Sequence, residues 1–187
     1  MPTPSRTSLD QIVDAGCALL ESGGAESLTM QKVAERVGVR APSMYKHVRD
    51  RDALLDAVVA AKIDELVDCL NETDGSLSAL IRAYRAYAHR RPEGFRLMFS
   101  PGAPLDALER AAEPLIAATR QLVGAEALEA ARLVTAWATG FIQMELAGAF
   151  RLGGDVDHAF EYGLAHLRES LEQLAPKARG GDLSDAP

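Results

Sequence analysis

The sequence predicts an all-α protein: an N-terminal three-helix helix-turn-helix domain followed by a C-terminal helical domain. Three observations carry this. Apolar residues recur with a period near 3.6 along almost the whole chain, and strand-like alternation is nowhere sustained. Two short amphipathic segments lie close together around Gly38-Val39-Arg40, the layout of a helix-turn-helix. Charge is also unevenly placed: six bases and two acids fall between Lys32 and Arg51, a local +4, on a chain of net charge −7, so the other 167 residues carry −11. Such a split suits a basic head on an acidic body, although a merely solvated charged face would look the same. With 187 residues, 48% hydrophobic and 25% charged, the composition is that of a globular protein and excludes disordered, collagen-like and disulfide-scaffold classes.

The elements follow in order. Ser8 is a good N-cap for a first helix with Leu9, Ile12, Val13, Gly16, Leu19 and Leu20 on one face, stopped by Gly23-Gly24. A second begins after Thr29, places Met30, Val33, Ala34 and Val37 together, and ends at Gly38. Pro42, tolerated in a first turn, opens a short third helix whose Ala41, Met44, Tyr45 and Val48 share a face. A longer fourth helix runs from an Asp50 cap through Leu54, Leu55, Val58, Ile63, Leu66 and Leu70 toward Asn71. The expected division is residues 1–49 for the head, 50–175 for the body, and a frayed tail over 176–187.

The third helix is the informative one. Opposite Met44 and Val48 it carries Arg40, Ser43, Lys46 and His47, hydrogen-bond donors of the kind that reach bases and phosphates. Ala41, Pro42 and Ser43 are small enough for close approach to a groove. Taken singly, Tyr45 or His47 could be a boundary residue satisfied within the fold.

Leu28-Thr29-Met30, Val33-Ala34, the run from Gly38 to Val48 and Asp52-Ala53-Leu54-Leu55 together resemble the TetR-type transcriptional regulators over residues 8 to 60. The resemblance implies that Tyr45 and His47 bind phosphates, as do Thr29 and its neighbouring backbone. It implies that Arg40, Ala41, Pro42 and Ser43 face bases, and that Lys46 and Arg51 anchor phosphates. It further implies a homodimer on a palindromic double-stranded operator.

Beyond Ser76, Leu77, Leu80, Ile81, Tyr84, Tyr87 and Ala88 form an amphipathic helix stopped by Pro92, with His89, Arg90 and Arg91 where cations suit the helix dipole. Phe95, Leu97, Met98 and Phe99 then make an aromatic, flexible cluster. Another helix is expected from about Pro104 to Val123, presenting Leu105, Leu108, Leu115, Ile116 and Thr119. The apolar stretch Leu133 to Phe150 is nearly long enough for a membrane span, but Gln143 and Glu145 favour a core helix. Its Trp137-Ala-Thr139-Gly140-Phe141, with the run Arg91 to Phe99, resembles the Trp-His-Gly (WHG) motif of one C-terminal subgroup of these regulators. Thr139 stands where that motif has histidine.

The clustering of aromatic and Met side chains with polar tips suggests an apolar effector pocket lined by Tyr84, Tyr87, Phe95, Met98, Phe99, Thr119, Trp137, Phe141 and Met144, although such residues also make plain core. In the last helix, between Asp155 and Ala175, Phe160, Leu164, Leu167, Leu171 and Leu174 recur every 4, 3, 4 and 3 residues. That seam could face a second copy or be buried within one chain. The resemblance implies that the last two helices pair with their copies as a four-helix bundle.

The functional expectation is a repressor released from its operator by a small, largely apolar effector. The alternative is a regulator without a small-molecule effector, controlled by protein partners or abundance. An enzyme is not expected: the four histidines show no i, i+3 or i+4 pairing, and neither a nucleophile motif nor a glycine-rich phosphate loop is present. No metal, cofactor or membrane partner is implied. The Met1 to Arg6 start does not read as a secretory signal, so a cytoplasmic location is expected. Cys17 and Cys69, without metal or CxxC spacing, are expected to be reduced packing residues.

Overall fold

In the computed structural model, residues 7–100 and 102–174 are described; the Met1 to Arg6 start and the tail expected over 176–187 lie outside them. Ser8 caps α1 (Leu9–Gly23) through a reciprocal pair of bonds. Its hydroxyl accepts from the Gln11 N–H at 3.2 Å while the Gln11 side chain accepts from the Ser8 N–H at 3.2 Å. Ile12, Ala15, Gly16 and Leu20 turn inward. Leu9, expected on that face, is 46% exposed, because the first turn projects past the core.

Thr29 caps α2 (Met30–Val37), its hydroxyl accepting from the Lys32 N–H at 3.3 Å. Gly38 ends the helix at φ 80°, a conformation that glycine adopts without steric cost. The third helix is shorter than its periodicity suggests: α3 spans only Ala41–Met44 and gives way to a turn before Val48. Met44 and Val48 are buried as expected, but Tyr45, the C-cap residue that ends α3, is 56% exposed. Asp50 caps α4 (Arg51–Asn71) by accepting from the Ala53 N–H at 2.8 Å.

Two apolar cores divide the molecule. The first joins Ile12, Leu20, Leu28, Val33, Met44 and Val48 to Leu54 and Val58 of α4. The second begins one residue later at Val59 and runs on through Ile63, Leu66 and Leu70 into the body. The expected boundary at residue 50 marks the start of α4, a helix that both cores share. The first two turns of α4 complete the head, because three short helices alone cannot bury Ile12 and Leu28.

The body contains α5 (Leu77–Arg90), α6 (Pro92–Leu97), α7 (Leu105–Val123), α8 (Ala127–Leu146) and α9 (Val156–Gln173). The cluster around Phe95, expected as flexible, is helical: Pro92 both stops α5 and starts α6, burying Phe95 and, just beyond the helix, Met98. The helix expected over 133–150 is displaced toward the N-terminus. A 3-10 turn at Gly124–Glu126 lets α8 start directly behind α7, and Gly148 at φ 62° turns the chain away before Phe150.

The seam of α9 is used within the chain. Phe160, Leu164 and Leu171 are buried in the body core, Leu167 is half-buried, and Leu174 lies 64% exposed at the last turn. Phe160 stacks on Trp137 at 5.3 Å and meets Phe141 edge-on at 5.3 Å, which fixes α9 against α8. Three of the seam's five residues are spent on this packing because α8, placed by the turn before it, offers its aromatic face to α9 of the same chain, while Leu167 and Leu174 keep accessible surface. Among the described residues no helix is long and apolar enough to cross a membrane.

Candidate nucleic-acid interface and effector cavity

The buried Met44 and Val48 anchor a very short helix, so everything on its other side is presented to solvent. Arg40, Pro42, Ser43, Tyr45, Lys46 and His47 are all exposed there, with Ala41 half-buried beneath them and Thr29 at the adjoining start of α2. The structure thus brings the candidate contact residues onto one surface, with Arg51 as the exception in role. Arg51 Nε donates to the Leu28 carbonyl at 2.9 Å and its terminal nitrogen to the Ala25 carbonyl at 3.0 Å. Its guanidinium is committed to holding the α1–α2 connection. Arg49 pairs with Asp50 at 2.7 Å, whereas Arg40 and Lys46 take part in none of the ion pairs found among the described residues. A small, positively charged surface with hydroxyl, imidazole and phenol donors can neutralise phosphates while a narrow leading edge enters a groove.

In the body, α4, α5, α7 and α8 line a cavity of about 700 Å³ that opens to solvent where Ala112, Arg132, Ala136 and Gln143 are exposed. Its walls are mainly apolar: Ile63, Leu66, Leu70 and Leu80 from α4 and α5, and a run of alanines, Ala111, Ala112, Ala131 and Ala136, from α7 and α8. Small wall residues are the reason that space remains. The polar groups are concentrated on α8 as Arg132, Thr135, Thr139 and Gln143, joined by Tyr84, whose hydroxyl lies 2.8 Å from that of Thr139. Burial pushes the Tyr84 phenol up to about 12, with the Thr139 bond opposing, so the group stays a neutral hydrogen-bonding partner.

Of the nine expected effector residues, Tyr84, Met98 and Phe99 line this cavity. The other six stand elsewhere, each for a visible reason. Tyr87 is fully buried and donates to the Lys62 carbonyl at 2.7 Å. Phe95 is buried behind the wall, edge-on to Tyr84 at 5.2 Å and to Phe99 at 5.3 Å. The Thr119 hydroxyl bonds the Ala127 carbonyl at 2.8 Å and ties α7 to α8. Trp137 and Phe141 face α9, and Met144 is 48% exposed on the outer side of α8. Residue type alone could not separate these from the wall. The signal that sequence reading passed over was the alanine run on α7 and α8, whose small volumes mark a place where helices fail to fill space.

Head and body are joined by a buried ion cluster that no periodicity announced. Lys62 of α4 is only 4% exposed, and its ammonium lies 2.9 Å from Glu65 and 3.6 Å from Glu21 of α1. Glu65 also pairs with Arg91 at 2.7 Å. Those two hydrogen bonds, from Lys62 and Arg91, outweigh burial and hold the Glu65 carboxyl below its usual range. Glu21 in turn accepts from the Gly94 N–H at 3.1 Å, and a Cβ at Gly94 would lie 2.8 Å from Glu21 and 2.9 Å from Lys62. Glycine at that position lets α6 sit directly on the ion pair. Leu97, at the end of α6, packs against both apolar cores. No group of His, Cys, Asp and Glu among the described residues is placed to hold a metal ion.

An exposed reading helix within a locally basic stretch of a compact head, joined to a helical body with a cavity, defines a helix-turn-helix DNA-binding protein. Residues 12–58 match the family model of bacterial regulatory proteins, tetR family, and residues 77–167 match that of the tetracyclin repressor-like C-terminal domain. An uncharacterized HTH-type transcriptional regulator of Mycobacterium tuberculosis is 30% identical over 184 residues, covering 91% of this chain and 84% of the relative. The tetracycline repressor protein class D of Escherichia coli is 28% identical over 92 residues, 49% of this chain and 39% of that repressor. A solved TetR variant from Acinetobacter baumannii AYE in complex with minocycline superposes with a TM-score of 0.69 at 25% identity, covering 91% of this chain and 99% of that one. The chain belongs to the TetR family, and is a DNA-binding transcriptional regulator rather than an enzyme. Members of this family bind DNA and act as dimers, and are typically repressors with ligand-binding C-terminal domains.

Proposed function

We propose that the protein is a cytoplasmic repressor that binds a palindromic operator as a homodimer and is released when a small, largely apolar molecule enters the α4–α8 cavity. The observation that carries this reading is the position of α6. Met98 and Phe99, just beyond its end, line the cavity, while Gly94 and Leu97 within it rest on Glu21 and the head core. A ligand pressing on that wall therefore acts on an element that touches α1. It shifts the equilibrium only through its unequal affinity for the DNA-binding and released states.

DNA contact is proposed through Thr29, Arg40, Ala41, Pro42, Ser43, Tyr45, Lys46 and His47, with Arg51 supporting the head from behind. The dimer is proposed on the outward faces of α8 and α9, where Leu133, Met144 and Tyr162 are exposed and where Leu167 and Leu174 of the seam keep accessible surface. Membership of the Trp-His-Gly subgroup is further proposed on the Trp137-Ala-Thr139-Gly140 run, in which Thr139 stands at the motif's histidine position and bonds Tyr84. The test is to map the occupied genomic sites, then follow anisotropy of a labelled palindromic fragment while a panel of apolar small molecules is added. Compounds that raise the melting temperature should also release the DNA. A panel that neither stabilises the protein nor releases the DNA would leave control by partners or abundance.

A further inference from the structure

The cavity wall contains one cation and no acid. Arg132 stands on α8 with Thr135, Thr139 and Gln143, spaced by 3, 4 and 4 residues along one helical stripe, and the remaining wall is apolar except for Tyr84. Among the other body arginines, Arg82 pairs with Glu161, Arg85 with Glu145 and Asp157, Arg91 with Glu65, Arg96 with Glu93, Arg110 with Asp64 and Asp106, and Arg168 with Glu172, whereas Arg90, Arg120 and Arg151 are in no ion pair found among the described residues but lie off the cavity wall. Arg132 belongs to none of the ion pairs found among the described residues, and it is exposed at the cavity's edge.

From this arrangement we infer that the effector is an amphipathic monoanion, an apolar chain or ring system bearing one carboxylate that pairs with Arg132 while its body fills the alanine-lined cavity. The inference rests on the effector-cavity reading above and adds the charge. A neutral apolar molecule seated there gains nothing from the guanidinium at the edge, and an ammonium would be repelled by it. A carboxylate instead forms a bidentate, charge-assisted pair. Tyr84 and Thr139 bond each other at 2.8 Å in the middle of the stripe, and Thr135 and Gln143 offer neutral polar contacts, so the charge that the described wall presents to a ligand is that of Arg132.

The test uses the full chain with three probes of equal tail length, decanoate, decanamide and decylammonium, titrated calorimetrically at pH 7.5. Decanoate should bind at least tenfold more tightly than decanamide, with decylammonium weakest, and added salt should narrow the difference because the pair sits at an exposed edge. In Arg132→Gln, decanoate should fall to the level of decanamide while decanamide itself is unchanged; the side chain is exposed, so the variant should keep the wild-type melting temperature. Ala112→Trp, which fills the cavity, should abolish binding of both. Equal binding of decanoate and decanamide, or a carboxylate preference that survives Arg132→Gln, would overturn the charge assignment and leave an uncharged apolar effector site. Failure of all three probes to bind would overturn the cavity reading along with it.

Discussion

Tyr87 Oη donates to the carbonyl oxygen of Lys62 across 2.7 Å, fastening α5 to the middle of α4 at the level where the two apolar cores meet. The phenol is fully buried, and burial raises its ionisation well above the tyrosine range, so the bond holds at every physiological pH. Tyr87→Phe should cost about 1–2 kcal/mol, read as a lower urea midpoint with unchanged slope. An unshifted midpoint would show that the carbonyl is equally well served within its own helix.

On its other side Lys62 reaches Glu21 and Glu65, and through Glu21 the backbone of Gly94. Replacing the lysine by methionine keeps most of the volume and removes the charge that holds α1, α4 and α6 in one cluster. Lys62→Met should fold with lowered stability, since it leaves the Glu21 carboxylate without its cation while Glu65 keeps Arg91. Its operator affinity should become insensitive to any compound that releases the wild type. Normal release by Lys62→Met would place the coupling elsewhere.

On the DNA side, affinity should fall steeply with salt, and Tyr45→Ala or His47→Ala should weaken binding about equally for all sequences. Changes at Ser43 or Arg40 should alter base preference. Arg51→Gln should behave differently from these, lowering the melting temperature because the Leu28 and Ala25 carbonyls lose their donor. Gel shifts over a randomised operator library, paired with thermal melts, separate the two effects.

Acid should loosen the body through Glu145. Arg85 chelates this carboxylate, His89 Nε2 lies 3.1 Å from it, and chiefly the arginine bond lowers its ionisation below the usual glutamate range. A carboxyl depressed in the folded state stabilises fully above its unfolded value, and that stability is lost as pH falls through the folded one. Stability should therefore decline below about pH 4.5, the ordinary range for glutamate. Glu145→Gln should be less stable at neutral pH and show a shallower acid slope; a parallel slope in the variant would refute the assignment.

Gly163 packs so close to Trp137 that an added Cβ would lie 2.5 Å from the indole. Gly163→Ala should cost roughly 1–3 kcal/mol by overpacking. The chain has a single tryptophan, so its fluorescence reports this junction directly. Substituting Leu133 or Tyr162 by aspartate should yield a folded monomer in sedimentation that no longer holds the full palindrome, whereas aspartate at Leu164 should unfold the chain.

Local rules made the head legible: Ser8, Thr29 and Asp50 cap as their side chains dictate, and Gly38 turns as glycine does. The body was legible as helices but not as a site. Phe160 and Leu164 show the same spacing whether they meet a second chain or their own, and only the placement of α8 by the Gly124–Glu126 turn decides between these. Trp137 and Tyr84 are both aromatic at helical spacing, yet one faces α9 and the other the cavity. Such choices depend on which way neighbouring helices lean, information spread over residues far apart in the chain. Lys62 was hidden for the opposite reason: a charged residue in an apolar stripe reads as solvent-facing until the carboxylates of another helix are found beside it.

The alanines of the cavity wall give the protein a separable memory of two kinds. Exchanging Ala111, Ala112, Ala131 or Ala136 for a residue one or two carbons larger reshapes the space inside the body, yet none of the four belongs to the core that holds Met44 and Val48 in place. Duplicated copies of such a gene can accordingly diverge in the molecule they answer to while still reading the same address, and a library varied at these four positions could be screened for new inducers against an unaltered promoter.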